Sequence, residues 1–359
     1  MLPQITFVID GALDQPTGGY LYDRIVIDGL RARGAAARIE SLSTGGAIRT
    51  AIENGRVALR RAHDPEGALV VVDELCHPRV ALASLLHRVR PRARLVALVH
   101  HLAANERTGA SARARLAVER LLLGAAARIV VTSETTRRAL VAVGVDPARI
   151  RAVLPGRDRL GERFAPPEPD PDGAIRLLFL GALTPRKGVL ALVRAMESLA
   201  PRATLTLAGP DDRDRAYAAA VRAAIARSPA RGRIRVTGAL PDAAVAAALA
   251  SHDLFVLPSL YEGFGLAIAE ALAHGLGVVS TTAGAILGVV RDGREAIFVP
   301  PGDERALAAA LARVVRDPGL LTAMQSAAIV RAQSLPRWED TQREFAEALR
   351  SAAEGFEPG

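Results

Sequence analysis

The sequence predicts an α/β protein built from two doubly wound parallel sheets, and three observations carry that prediction. Short β-branched runs alternate with alanine- and leucine-rich stretches along nearly the whole chain. Such alternation indicates parallel strands joined by crossover helices. The pattern breaks once, at 156–174 (GRDRLGERFAPPEPDPDGA), where Pro, Asp and Gly replace the periodicity and a linker is expected. At 359 residues the chain is long for one core and sufficient for two.

The elements follow in order. In the first half, strands are expected at 5–9, 36–42, 68–73, 94–99, 128–132 and 149–154. In the second they are expected at 175–180, 203–208, 233–237, 254–258, 277–281 and 296–299. The intervening segments are helices of roughly 10 to 17 residues. The organisation is then a Rossmann-like unit over 1–160, a second over 161–335, and a terminal helix in 336–359. That helix (RWEDTQREFAEALRSAAE, 337–354) offers Trp338 and Phe345 for packing and is expected to cross back onto the first half. In sheets of this kind ligands bind at the carboxyl ends of the strands, at the switch point. Two such edges facing each other would make a cleft.

Composition narrows the function classes. No apolar run reaches the roughly 18 to 20 residues of a membrane span, and the start, MLPQITFVID, reads as a buried strand rather than a signal peptide. The single cysteine, Cys76, excludes an intrachain disulfide, which fits a cytoplasmic location. A net charge of +8 would suit nucleic acid. Aromatics at 4% are too scarce for base stacking, however, and no basic–aromatic interleaving occurs, so no nucleic-acid partner is expected. Lys187 is the only lysine among 46 basic residues. In a chain that otherwise uses arginine, a retained lysine in the turn TPRKGV suggests a need for its compact charge.

Four constellations carry chemistry. In 257–275 (LPSLYEGFGLAIAEALAHG) a strand ends at Pro258, a loop follows with Gly263 and Gly265, and a helix starts near Leu266. Glycines there let backbone approach a ligand, and the helix N-terminus suits a diphosphate. Glu262 and Glu270 are natural acceptors for sugar hydroxyls; the bland reading is a surface glutamate pair on a Rossmann turn. In 178–188 (LFLGALTPRKG) a strand ends at Gly181, and Arg186 and Lys187 stand where they could hold a pyrophosphate. Gly18 and Gly19 in QPTGGY follow the first strand, as a phosphate-facing loop or an ordinary tight turn. His100 and His101 end strand 94–99; His100 follows the strand directly, and the register leaves both open. Glu106 follows as an acceptor contact or a solvated charge.

The EGFGL…EALAHG segment resembles the E-x7-E signature of glycosyltransferase family 4. PRKG, TGGY and VHH, with the supporting segments VVTSETT (130–136), GVDPARIRAVLPGRD (144–158) and VTGALPD (236–242), extend the likeness over most of the chain. The resemblance implies the GT-B fold and retaining, metal-independent transfer from a nucleotide sugar, with a UDP-sugar expected. It implies that Glu270 holds the ribose and Glu262 lies by the donor sugar. Gly263, Phe264, Gly265 and Leu266 then surround sugar and phosphates, and Gly238 and Leu240 contact the base. Lys187 matches the family's diphosphate-neutralising lysine. Its partner arginine is replaced by Ala182, and Arg186 is the neighbouring substitute. Gly18 and Gly19 correspond to the loop facing the donor phosphates, and His100 or His101 to the histidine near the donor sugar. The pattern is similar to compact bacterial members, some of which glycosylate diacylglycerol lipids.

Two other classes share this layout: a sugar-nucleotide 2-epimerase and a non-catalytic nucleotide-binding module. The Asp-x-Asp of DDRD (211–214) is expected to cap a helix rather than bind metal. The stretch 112–127 (ARARLAVERLLLGAAA) sets Arg113, Arg115 and Arg120 beside Leu116 and Leu121–Leu123. It reads either as an interfacial helix on anionic lipid or as an ordinary amphipathic surface helix.

Overall fold

The computed structural model describes residues 4–15, 17–43, 47–89, 93–102, 109–171, 173–199, 201 and 203–354. The chain divides into two compact units, Met1–Pro155 with Trp338–Gly359, and Gly156–Arg337.

In the first unit the strands are β1 (Ile5–Asp10), β2 (Ala37–Leu42), β3 (Leu69–Asp73), β4 (Arg94–Val99), β5 (Arg128–Val131) and β6 (Ile150–Ala152). The helices are α1 (Gly18–Ala32), α2 (Ala47–Arg61), α3 (His77–Val89), α4 (Gly109–Ala125), α5 (Glu134–Ala142) and, at the chain's end, α13 (Trp338–Glu354). The sheet is parallel, in the order β2-β1-β3-β4-β5-β6. The central strand β3, LVVVD, is buried throughout, whereas the edge strand β2, ARIESL, buries only its ends. Continuous apolar runs mark strands covered on both faces. The order reverses between β1 and β3, so the turns leaving these strands diverge at a switch point.

The terminal helix completes this unit. Phe345 stacks on Phe7, with centroids 6.2 Å apart, and the Tyr22 ring lies 5.9 Å from Trp338 and 6.2 Å from Phe345. The Tyr22 hydroxyl donates to the Val153 carbonyl at 3.0 Å, so its polar tip is satisfied inside the core. Gly29 on α1 faces Gln342 so closely that an added Cβ would lie 2.4 Å from its Cδ.

The second unit carries β7 (Ile175–Leu180), β8 (Ala203–Ala208), β9 (Ile234–Gly238), β10 (Leu254–Leu257), β11 (Gly277–Thr281) and β12 (Ala296–Val299). Its helices are α6 (Val189–Ala195), α7 (Arg215–Arg227), α8 (Asp242–Ser251), α9 (Leu266–Ala273), α10 (Ile286–Val289), α11 (Glu304–Arg316) and α12 (Pro318–Gln333). The order is β12-β11-β10-β7-β8-β9, again parallel, with the switch point between β7 and β10. The stretch expected as a linker is not free. Arg163 and Phe164 donate their backbone N–H to the Ala273 carbonyl at 3.0 and 3.2 Å, and the Arg157 guanidinium lies 5.6 Å from the Phe164 ring. The division therefore falls at 155/156 rather than 160/161, because GRDRLGERF packs on the second unit.

Candidate functional site

In the second unit, the turns leaving β7 and β10 bring the basic and acidic sequence candidates together. The β7 turn runs through Gly181 and a single 3₁₀ turn, Pro185–Lys187, into α6. Gly188 joins them in the left-handed region, with φ 68°, and a Cβ there would lie 2.2 Å from the Pro258 carbonyl oxygen. Only glycine lets the β7 turn lie this close to the end of β10. Lys187 Nζ consequently reaches Glu262 Oε1 at 2.6 Å, and Ser259 Oγ donates to the same oxygen at 2.6 Å. Arg186 lies 3.7 Å from that oxygen and donates to the Tyr261 carbonyl at 2.7 Å.

Glu262 is buried, and burial alone would raise its pKa. The charges of Lys187 and Arg186, with hydrogen bonds from Lys187 and Ser259, outweigh burial and hold it below the usual carboxylate value. The cluster thus holds one carboxylate and two cations. After Gly263 and the buried Phe264, Gly265 caps α9 with φ 92°, and no side chain caps this helix. The N–H groups before Ile268 in the first turn stay open to an anion, reinforced by the helix dipole.

Glu270, one turn into α9, has a different setting. Arg159 donates to its Oε1 from Nε at 2.8 Å, with Nη2 also 2.8 Å away, and Nη1 lies 2.5 Å from Asp242 at the start of α8. Burial raises the Glu270 pKa to about 7; the charge and hydrogen bonds of Arg159 oppose that rise, and Asp242 adds to it. Gly238, with φ 72°, ends β9, and Leu240 lies in the turn leading from it to Asp242.

In the first unit, the turns after β1, β3 and β4 gather another cluster. His100 packs against Gly19, where an added Cβ would meet its Cδ2 at 3.4 Å, and Gly18 opens α1 alongside. His100 Nε2 lies 3.0 Å from Asp23 and 3.6 Å from Asp73, and its backbone N–H donates to Glu74 at 2.9 Å. Burial disfavours the imidazolium, but the charges of Glu74, Asp23 and Asp73 outweigh it and raise the His100 pKa to about 10. Burial, with the charges of Glu74 and Asp23, raises Asp73 well above its ordinary value. Among the described residues, Asp23 Oδ2 is buried without a hydrogen-bond partner. His101 turns instead toward Glu74, at 3.5 Å. Of the two histidines, His100 adjoins the glycine pair.

Among the described residues, Asp23, Asp73 and His100 have donor atoms close enough to share a cation. At neutral pH the shared imidazolium already supplies a positive charge there. The DDRD aspartates are committed locally: Asp214 caps α7 by accepting from the Tyr217 N–H at 2.9 Å, and Asp211 pairs with Arg222. In 112–127, Leu122 and Leu123 lie in the core, so this helix, readable from sequence either as interfacial or as an ordinary amphipathic surface helix, turns much of its apolar face onto the fold. Among the described residues, the exposed large apolar residues of this unit lie mostly on α2 (Ile48, Ile52, Leu59) and α3 (Leu82, Leu85, Leu86, Val89), with Val141 on α5. No described helix is long and apolar enough to cross a membrane. Glu106 lies outside the described residues.

Sequence reasoning missed Ser259, Arg159, Asp23, Asp73 and Glu74. The last two were signalled by the pair DE closing the buried strand β3, since acids at the carboxyl end of a central strand sit where ligands bind.

A sequence model for "Glycosyl transferases group 1" matches residues 174–317, and one for "Glycosyl transferase 4-like domain" matches 11–156. The chain is 28% identical to the D-inositol 3-phosphate glycosyltransferase of Kribbella flavida over 239 residues, 62% of this chain and 56% of that one. It is 33% identical to the phosphatidyl-myo-inositol mannosyltransferase of Mycobacterium leprae over 183 residues, 49% and 43% of the two chains. The match spans about half the length of these curated relatives. Among solved structures, sucrose-phosphate synthase of Thermosynechococcus elongatus superposes with TM-score 0.80 at 21% identity, covering 97% of this chain and 98% of that one. Anabaena HepE in complex with UDP-glucose gives 0.78 at 20%, covering 97% and 99%. At such identities the likeness is one of fold. With one of these two models matching within each unit, the chain belongs to the glycosyltransferases of family 4 and has the GT-B fold.

Proposed function

We propose that this protein transfers a glycosyl group from a nucleoside-diphosphate sugar, a UDP-sugar, to an acceptor hydroxyl with retention at the anomeric carbon. The observation that carries the reading is the Glu262–Lys187–Arg186 cluster at the β7/β10 switch point, followed directly by the uncapped start of α9. Its excess positive charge suits a leaving diphosphate, and preorganised donors stabilise charge as it develops. Lys187, Arg186 and the helix terminus supply that charge, so the reaction is proposed to need no metal. Gly263–Leu266 surround sugar and phosphates, Glu270 accepts from the ribose, and Gly238 and Leu240 meet the base through their backbone. Glu262, neutralised by Lys187, is poorly suited to act as a nucleophile. The proposed route is front-face: the bond from C1 to the diphosphate oxygen breaks, the acceptor oxygen bonds to C1, and its proton passes to the β-phosphate.

A lipid acceptor, such as diacylglycerol at the cytoplasmic face of the membrane, is favoured by the exposed apolar residues of α2 and α3. The exposed Arg49, Arg56 and Arg88 occur on the same two helices. Co-sedimentation with phosphatidylglycerol vesicles tests this, and Ile52→Ser/Leu85→Ser should abolish it.

The donor reading is tested by thermal unfolding with nucleotide sugars and no added metal. A ligand at about a hundred times its Kd adds about 2.7 kcal/mol, a rise of about 5–10 °C for a unit of this size. The rise is expected with UDP-sugars and lost in Lys187→Ala and Glu270→Ala. A protein that no nucleotide sugar stabilises would be a non-catalytic member of the fold. An altered sugar nucleotide formed from donor alone would identify an epimerase.

A further inference from the structure

We infer that Arg159 is a positioning residue of the nucleotide site, one that turns the buried Glu270 into a hydroxyl acceptor with a single oxygen presented to the ligand. The inference rests on the donor reading above and names how the ribose would be held.

The geometry carries it. Both Nε and Nη2 of Arg159 converge on one carboxylate oxygen, Glu270 Oε1, at 2.8 Å each. Among the described residues the hydrogen bond to this carboxylate goes to Oε1 and none goes to Oε2, although Glu270 is only 4% exposed. A carboxylate bound through both oxygens would be finished; one held through Oε1 alone keeps a fixed orientation and an acceptor to spare. A rigid guanidinium that donates from Nε with Nη2 equally close also fixes the direction of the second oxygen, which a lysine ammonium would do less well.

Arg159 is held in turn. Its remaining nitrogen, Nη1, reaches Asp242 at the start of α8, beside the Gly238–Leu240 turn. One side chain therefore ties the proposed base-contacting turn to the proposed ribose-binding helix. The charged groups facing Glu270 are Arg159 and Asp242. His274, which caps the C-terminus of α9, has its Nδ1 2.9 Å from the Glu270 carbonyl oxygen, and burial lowers its pKa. Arg159 is the only one of these whose charge favours the ionised carboxylate. With the arginine in place Glu270 titrates at about 7, and without it burial would keep the group protonated to higher pH. A protonated carboxyl loses much of its power to accept from two ribose hydroxyls.

The test compares binding of UDP and 2′,3′-dideoxy-UDP by calorimetry from pH 6 to 9. Their affinity ratio isolates the ribose hydroxyls and cancels the titration of the phosphate itself. In the wild type the ratio should favour UDP and grow as pH rises through about 7. Arg159→Gln should lower UDP affinity about tenfold at pH 7, leave the dideoxy analogue nearly unchanged, and move the midpoint of the ratio to higher pH. Arg159→Lys should restore the midpoint in part. In a double-mutant cycle, adding Arg159→Gln to Glu270→Gln should cost little further affinity. The inference is overturned if Arg159→Gln binds both nucleotides as the wild type does, or loses affinity for both equally. A wild type that binds neither UDP, GDP nor ADP would instead remove the donor reading, and this inference with it.

Discussion

The two units solve opposite electrostatic problems with the same architecture. In the first, three carboxylates gather at one histidine near the carboxyl edge, Asp23 and Asp73 beside its imidazole and Glu74 on its backbone N–H. In the second, the corresponding turns set two cations against one carboxylate, Glu262. Each arrangement keeps its minority group charged despite burial: His100 protonated, Glu262 ionised. The surplus differs in sign. An excess of cations can receive an incoming diphosphate, whereas an excess of carboxylates repels one and suits hydroxyls. A parallel sheet thus supplies a place for chemistry, and the side chains of its turns decide which ligand charge it tolerates.

The sharpest way to break this comparison is to remove the lysine. Lys187→Ala leaves Glu262 buried with Ser259 and a more distant Arg186. Transfer measured as kcat/KM should fall about a hundredfold or more, and a loss below fivefold would show that the cationic surplus does not serve the reaction. Gly188→Ala attacks the same cluster through the backbone. A positive φ together with a clash on Pro258 should destabilise the second unit by about 2–4 kcal/mol, read from denaturant unfolding. An unchanged midpoint would mean the two turns need not approach so closely.

The first unit's surplus is tested by pH. The His100 pKa of about 10 lies above its ordinary value of 6.5, so the fold binds this proton more tightly than the unfolded chain does. The resulting stability is fully present below about pH 6.5 and declines as pH rises toward about 10. Asp23→Asn should lower the His100 midpoint, followed by the NMR shift of the ring proton. A midpoint that stays put would leave Glu74 and Asp73 as the groups that matter. The smallest effect is expected from Asp242→Asn: its side chain is two-thirds exposed, so UDP affinity should stay within about threefold. A larger loss would mean that the Arg159 bridge, rather than Arg159 itself, builds the nucleotide site.

Much of this was legible in the sequence because it is local. The inner strands of the second sheet, such as β10, were readable from continuous apolar runs, and the Lys187 turn and EGFG loop from glycines at strand ends. Partnerships across long separations were not. Arg159 meets Glu270 from 111 positions away, within a Pro- and Asp-rich stretch that reads as a linker. Asp23 sits in α1, where an acid suggests a solvent-facing position such as that of Asp28, yet it is buried against a histidine 77 residues on. In 112–127 the periodicity revealed an amphipathic helix but could not say that the core, rather than a lipid, takes Leu122 and Leu123. Periodicity identifies a face; it does not name what covers it.

The packing of α13 has a consequence for biosynthesis. The second unit is inserted in sequence between β6 and α13, and its two ends are joined where Arg157 donates its N–H to the Pro336 carbonyl at 3.1 Å. As the chain leaves the ribosome, the inserted unit can mature while the earlier one still waits for Trp338 and Phe345. The half translated first is therefore finished last, and until then the surface of Phe7 and Tyr22 that this helix covers is open to chaperones and proteases.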